Sequence, residues 1–250
     1  MNYRKFLAIP VMVFSMWTSA AHAQKLKNFL DNKDSSFTWL GVDFTQARLI
    51  GDAAAKTDAI VDHEFTALNQ VIVNEQKKYD VPGAFHREKY NTSIGLVNKR
   101  NEAINKDALK SDESADFERL KPEDITKVVK SYDFSGKHGI GVLLVMEGMS
   151  KTAKSASMYV TVIDMDRKNV LMTERYIGKG QKWSFAWRNY WLATIKSVLE
   201  DVSDDYKKLK EKYAGTTDPE EEKPVVAPAS KKDAKTGVAA KETKKPKKKG

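Results

Sequence analysis

The stretch Gly139-Ile140-Gly141-Val142-Leu143-Leu144-Val145-Met146 is the strongest core element in the sequence. Its residues are apolar at both alternating sets of positions, which is typical of a central strand covered on both faces. We therefore predict a strand in the middle of a sheet, with Val142, Leu144 and, on a neighbouring strand, Val160 in the core.

Two more strands are predicted directly after this one, over residues 155–165 and 170–177. They are joined by Asp166-Arg167-Lys168-Asn169, whose residue types suit a hairpin turn. Because sequential strands joined by tight turns pair antiparallel, we expect an α/β (α+β) domain with a mixed, mostly antiparallel sheet.

Upstream of the central strand, residues 37–44 predict the first strand, with Leu40, Val42 and Phe44 alternating onto one face. Residues 52–79 place apolar side chains at helical spacing and predict a long helix.

The remaining elements are a short strand over residues 92–97 and two helices. Lys121-Pro122-Glu123-Asp124 predicts a helix start, because proline suits the first turn and acidic residues face the positive end of the helix dipole. Residues 184–213 predict a long closing helix with one apolar stripe.

The chain divides into a signal peptide at 1–23, a linker at 24–36, an α/β domain at 37–214 and a tail at 215–250. The tail is rich in Lys, Pro and Ala and contains no aromatic residue. Such a composition buries too little apolar area to offset the entropy of ordering, so we predict a disordered tail.

The signal prediction rests on a basic start at Arg4 and Lys5, an apolar run over 6–17, and small residues at Ala21 and Ala23. We expect cleavage after Ala23, a periplasmic or secreted protein, and no transmembrane helix afterwards. The chain has no cysteine, which excludes a lipid anchor, a disulfide and a thiolate metal site.

The formal net charge is +9 at pH 7, and the 215–250 tail holds ten Lys against six acidic residues. Much of the excess charge therefore lies in the tail rather than in the predicted domain. This placement, together with predicted export, argues against nucleic acid as a partner.

No complete catalytic or cofactor motif is evident. The glycines of 136–141 lead into a strand rather than a helix, unlike a dinucleotide loop. His63 lacks a second histidine four residues away, and Asp164 and Asp166 suit the hairpin turn more than a cation site. We therefore expect no catalytic residues, no bound metal, no cofactor and no enzyme activity.

An aromatic stripe is the first candidate binding feature: Trp183, Trp187 and Trp191 recur at four-residue spacing, with Arg188 and Tyr190 beside them. On a helix these tryptophans share one face. They could form a stacking surface for a sugar, a peptide or a membrane interface, or they could pack the helix start onto the sheet. The sequence leaves both interpretations open.

A basic cluster at the end of the tail is the second candidate feature. Its lysines are Lys244, Lys245, Lys247, Lys248 and Lys249. They could hold the protein to anionic lipid, lipopolysaccharide or a wall polymer, or they could belong to a solvated terminus without a specific partner.

Four segments follow one another along the chain: Trp39-Leu-Gly-Val-Asp-Phe44, Gly139 to Met146, Met158-Tyr-Val-Thr-Val-Ile-Asp164 and Val170-Leu-Met172. Their order resembles that of the periplasmic α/β domains of the curli-secretion lipoprotein and the penicillin-binding-protein activators. The resemblance covers residues 37–213 and lies in topology more than in motifs. It implies an envelope assembly or regulatory module without catalysis.

The sequence thus predicts an exported, non-enzymatic binding or assembly component of the cell envelope, with an envelope protein or an anionic polymer or lipid as partner. A cell-wall or carbohydrate-binding module using the Trp stripe and the basic tail is the alternative. A cryptic hydrolase is a third hypothesis, which a concave polar cluster containing His63 or His138 would favour.

Overall fold

Seven strands form one sheet in the computed structural model, which describes residues 25–134, 136–180, 186–216 and 218. These residues belong to one compact unit. The strands are β1 Phe37–Asp43, β2 Arg48–Ile50, β3 Tyr90–Thr92, β4 Lys110–Ser111, β5 Ile140–Ser150, β6 Ser155–Asp164 and β7 Asn169–Lys179.

Helices lie in three of the six connections between consecutive strands, namely β2–β3, β3–β4 and β4–β5. In the described ranges they are α1 Lys25–Asp31, α2 Thr57–Ala59, α3 Phe65–Asn74, α4 Val81–Ala84, α5 Gly95–Asn101, α6 Pro122–Lys130 and α7 Trp187–Tyr213. A π-helical segment, Ile60–Glu64, joins α2 to α3, and short 3-10 turns lie at Lys106–Ala108 and Ser114–Glu118.

The prediction of a mostly antiparallel sheet is wrong. Among the described residues, four of the six strand pairings are parallel: β1 with β3, β1 with β5, β2 with β4, and β2 with β5. Only β5–β6 and β6–β7 pair antiparallel in this part of the chain. The turn residues in the sequence indicate only which consecutive strands form hairpins. Helical crossovers return the chain to the same end of the sheet, so the strands that they connect run parallel to their neighbours in the sheet.

The long strand β5 organises the sheet, since β1 pairs along its first half and β2 along its second half. These two strands therefore act as two parts of one interrupted strand. A turn over residues 44–47 separates them, with the Ala47 amide donating to the Phe44 carbonyl at 2.8 Å.

The sheet is covered on both faces, as the apolar character of β5 predicts. One core packs α1, α3 and α7 against side chains that include Val142, Leu144 and Val160, all three completely buried as expected. The other core packs α5 and α6 against residues such as Leu143 and Val145. The result is a three-layer α/β/α arrangement.

The prediction that Leu40 shares one face of β1 with Val42 and Phe44 is wrong, because β1 contains a β-bulge. The register shifts between Trp39 and Gly41, and Gly41 has φ +106°, a conformation that a side-chain-bearing residue rarely adopts. Because the bulge inserts one residue, Leu40 packs with α6 while Val42 and Phe44 pack in the opposite core.

Two buried asparagine side chains make the backbone hydrogen bonds that a neighbouring strand would make at the end of β1. The Asn69 amide group accepts from the Val42 N–H at 2.7 Å and donates to its carbonyl at 3.1 Å. The Asn101 amide group accepts from the Phe44 N–H at 2.8 Å and donates to the Val42 carbonyl at 3.0 Å. These contacts satisfy backbone groups that β3 is too short to reach.

Residues 25–31, which the sequence places in a linker at 24–36, form the helix α1 and belong to the fold. Leu26, Phe29 and Leu30 of α1 are buried in the core. Asp218, predicted to lie in the tail, accepts from the Lys25 and Leu26 N–H groups at 2.5 and 3.2 Å. An apolar helix of only two turns gives too few periodic positions to be recognised from sequence.

Two further element predictions need correction. The strand predicted at 92–97 is the end of β3 followed by α5, and the helix predicted over 52–79 is confined to 57–74. The helix start at Pro122, the β6–β7 hairpin and the long closing helix are confirmed within the described residues.

Candidate functional site

An open cleft lies beside the carboxyl end of β1, between α5, α6 and the 44–47 turn. Its volume is about 410 Å³. In open α/β sheets, ligands bind outside the carboxyl ends of parallel strands, so this is the position where a site is expected. The polar side chains that line the cleft are Gln46, Arg100, Arg119, Asp124, Lys127 and Ser131.

One face of α6 forms a wall of the cleft. Asp124, Lys127 and Val128 are three and four residues apart, which places them on the same side of a helix. Asp124 also accepts from the Lys121 N–H at 3.1 Å and from Lys127 Nζ at 2.9 Å, and these hydrogen bonds lower the pKa of its carboxyl. The acidic residue of the wall thus has partners already.

Arg119 carries a positive charge with weak compensation. Its guanidinium donates to the Gln46 carbonyl, and its Nε lies 3.9 Å from the Asp116 carboxylate, a long ion pair. Burial, followed by the positive charge of Arg48, lowers the pKa of Arg119 although nearby carboxylates act in the opposite direction. Arg119 is therefore a half-buried cation that further negative charge would stabilise.

Arg100 brings a second guanidinium to the cleft. Its Nε lies 3.5 Å from Oδ2 of Asp43, the last residue of β1, and its guanidinium lies 4.2 Å from the centre of the Tyr132 ring. The Tyr132 hydroxyl donates to the same Asp43 oxygen at 2.6 Å. Burial, reinforced by the Asp43 charge, raises the pKa of Tyr132 above its ordinary value, so the phenol keeps its proton and holds Asp43 in place.

A buried carboxylate fixes the segment that carries Arg119. Glu147 of β5 is completely buried, and it accepts from the Leu120 N–H at 2.5 Å and lies 2.9 Å from Arg175 Nε. Burial raises the pKa of Glu147. At Gly148 an added Cβ would lie 2.7 Å from the Phe117 backbone, so only glycine admits this close approach. These contacts lock the residues next to Arg119 onto the sheet.

The predicted aromatic stripe packs the start of α7 against the domain. Trp191 is completely buried in the core, and Trp187 is half-buried, with its ring 6.1 Å from that of Trp191. Trp183 lies outside the described residues. Because Trp191 is enclosed, it cannot present its ring to a ligand at the surface, and the packing interpretation holds for this residue.

The two polar candidates of the same segment also serve packing. Arg188 makes two hydrogen bonds with the Glu64 carboxylate, at 2.8 and 3.0 Å, which ties α7 to the π-helical segment. The Tyr190 ring meets Trp191 edge-on at 4.8 Å, and burial raises its pKa. None of these residues lines the cleft beside β1.

None of the three described histidines lines the cleft. His63 is on the exposed side of the π-helical segment, His86 stacks on Tyr206 at 4.3 Å, and His138 lies 2.7 Å from an Asp166 oxygen. The cleft therefore lacks the histidine that would favour a hydrolase.

Asp164 and Asp166 act in the hairpin turn and in an ion pair with α1, as the turn interpretation predicts. The Asp166 N–H donates to Asp164 at 3.1 Å, and Lys25 Nζ lies 2.8 Å from Asp164 and 3.2 Å from Asp166. Within the described ranges, no group of three or more histidine or acidic side chains is arranged to hold a metal ion.

The remaining predictions fall outside the residues that the structure describes. These are the signal peptide at 1–23, its cleavage after Ala23, and the basic cluster formed by Lys244, Lys245, Lys247, Lys248 and Lys249. In the described part of the chain, no helix is both long and apolar enough to cross a membrane.

Sequence reasoning missed Arg100, Arg119 and Lys127 as a group. Each is a charged residue in a polar segment, a pattern that is typical of a solvated surface. Only the pairing of β1 with β5 and the packing of α5 and α6 on one face bring them together. No local signal in the sequence could have distinguished them from other basic residues.

No protein-family model matches the chain, and a search of curated proteins finds no match.

Proposed function

We propose that the protein is an exported component of the cell envelope that binds or assembles with another envelope molecule without catalysing a reaction. The observation that carries the proposal is the cleft beside β1, which is open, polar and built on fixed elements. The buried carboxylates beside it, Asp43 and Glu147, are engaged by Tyr132 and Arg175. Carboxylates engaged in this way support a role in positioning rather than in proton transfer.

Export is proposed from residues 1–23, and the partner is an envelope protein or an anionic polymer or lipid. The resemblance to periplasmic assembly domains stays a prediction. Fractionation of cells and amino-terminal mass analysis test export. The mature chain should be found outside the cytoplasm and begin at Gln24, and an intact Met1 end in a membrane fraction would contradict the proposal.

Site-specific crosslinking in the native host tests binding at the cleft. A photoreactive amino acid replaces Lys127, which lines the cleft, or Lys130, which is exposed on the same helix outside it. We expect the Lys127 position to give a discrete covalent adduct that the Lys130 position does not give. Equal adducts from both positions, or none from Lys127, would contradict binding at this cleft.

A further inference from the structure

We propose that the cleft beside β1 binds an oxyanion, a phosphate or carboxylate group, held by Arg119 and Arg100 with Lys127 at its rim. The inference rests on the proposed function, since it names the class of ligand for the same site. Three of the side chains that line the cleft are cationic and one is acidic. The acidic one, Asp124, is already bonded to Lys127 and to the Lys121 N–H.

The two arginines provide the specific part of the site. Guanidinium groups present several N–H donors in one plane, which matches two oxygens of a phosphate or a carboxylate. Arg100 is oriented by the Tyr132 ring and by Asp43, and Arg119 is oriented by its bond to the Gln46 carbonyl. Because both groups are held before a ligand arrives, little side-chain entropy is lost on binding.

The charge balance favours an anion over a neutral ligand. Arg119 has only a long ion pair to Asp116, and the positive charge of Arg48 acts on it against the carboxylates of Asp116, Glu147 and Asp124. A bound oxyanion would offset that repulsion in a partly buried place, where screening by water is weaker than at the surface. A neutral ligand would leave the repulsion unchanged.

A second groove shows why basic residues alone do not define such a site. It lies between α4 and α7, has a volume of about 330 Å³ and is lined in part by Lys78 and Lys196. Lys78 pairs with Glu75 and Lys196 pairs with Glu200, each within its own helical turn or bend. Lys77 also lines this groove, but its lining includes the acidic residues Asp80 and Glu200 and no arginine. The groove therefore lacks the pair of guanidinium groups on which the inference for the cleft beside β1 rests.

Nuclear magnetic resonance of the ¹⁵N-labelled full-length protein tests the proposal. The protein is titrated with inorganic phosphate, with citrate, and with poly(glycerol phosphate), while chloride keeps the ionic strength constant. We expect saturable shifts of the backbone amides of Leu120, Asp124 and Ser131 with at least one small anion. Response to the polymer alone would overturn the proposal, since it would indicate general polyanion binding, whereas response to phosphate or citrate alone identifies which oxyanion is preferred.

Three variants separate the cleft from general surface charge. Arg119→Gln should weaken binding about tenfold, as loss of a charge-assisted hydrogen bond predicts. Lys127→Gln should weaken it about threefold, because this lysine is more exposed. The matched control Lys130→Gln removes the same charge from the same helix and should change affinity by less than about twofold.

Circular dichroism checks that each variant is folded, and Lys127→Gln carries the test if Arg119→Gln does not fold. Shifts that do not saturate, shifts scattered over surface lysines, or equal losses from Lys127→Gln and Lys130→Gln would overturn the anion site. If the anions leave the cleft amides unmoved while the crosslinker at Lys127 still captures a partner, the proposed function stands and only the ligand class is wrong.

Discussion

Replacing Asn101 by leucine removes two hydrogen bonds from the open edge of β1 while it keeps the branching of the side chain at Cγ. The Phe44 N–H then has no acceptor on that side, because Asn101 Oδ1 is its partner at 2.8 Å. The Val42 carbonyl loses one of its two donors but keeps Asn69 Nδ2 at 3.1 Å. Asn101 is completely buried, so water does not replace the lost contacts.

The expected cost follows from these contacts. An unpaired buried N–H costs ~1–3 kcal/mol, and the lost bond to a carbonyl that keeps another donor costs ~1 kcal/mol. Burial of the leucine side chain offsets part of this loss. The two losses sum to about 2–4 kcal/mol, and after this offset we expect the free energy of unfolding to fall by about 1–3 kcal/mol.

Urea unfolding followed by far-ultraviolet circular dichroism at pH 7 measures this change. Asn74→Leu is the matched control, because Asn74 is exposed at the end of α3 and should change stability by less than ~0.5 kcal/mol. A loss below ~1 kcal/mol for Asn101→Leu, with an unchanged denaturant slope, would refute the claim that Asn101 completes the edge of β1.

Three further predictions concern the ends of the chain and the hairpin turn. Asp218→Ala should cost ~1 kcal/mol, as loss of a helix cap does, and should speed amide hydrogen exchange in α1; unchanged exchange would contradict the cap. Burial acts to raise the pKa of Asp166, but hydrogen bonds from His138, the Gly139 N–H and Lys25 lower it to about 2. Because this folded-state pKa lies below the unfolded value, the contribution of Asp166 to stability is present above about pH 4 and is lost as pH falls toward 2. Asp166→Asn should therefore weaken the fall in unfolding free energy with decreasing pH over this range. The same pH dependence in the variant and the wild type would contradict this role of Asp166. Deletion of residues 231–250 should abolish salt-sensitive binding to anionic vesicles without changing the unfolding midpoint, whereas equal binding by the truncated protein would exclude a tail-mediated tether.

The elements that could be predicted are those with strong local signals. The apolar run of β5, the turn residues of the β6–β7 hairpin, the proline and acids that begin α6, and the apolar stripe of α7 each lie within one short window. The periodicity of apolar side chains and the residue types of a turn are set by neighbouring residues, so these elements depend little on the rest of the chain.

The parallel pairing of β1 with β5 depends on residues about a hundred positions apart, and no local pattern reports it. The bulge at Gly41 then reverses the face on which Leu40 packs. In the same way, α1 is stabilised by tertiary burial and by Asp218 from the far end of the described chain. Short elements of this kind form because packing and capping compensate for weak intrinsic propensity.

The sequence by itself determined the central strand, the hairpin and the closing helix, because side-chain period and turn residues act locally. The tertiary structure alone decided the mainly parallel pairings, the burial of Trp191 and the meeting of Arg100, Arg119 and Lys127 in one cleft. Those outcomes arise from contacts between distant segments, and a charged residue in a polar stretch carries no local sign of which distant charge it will face.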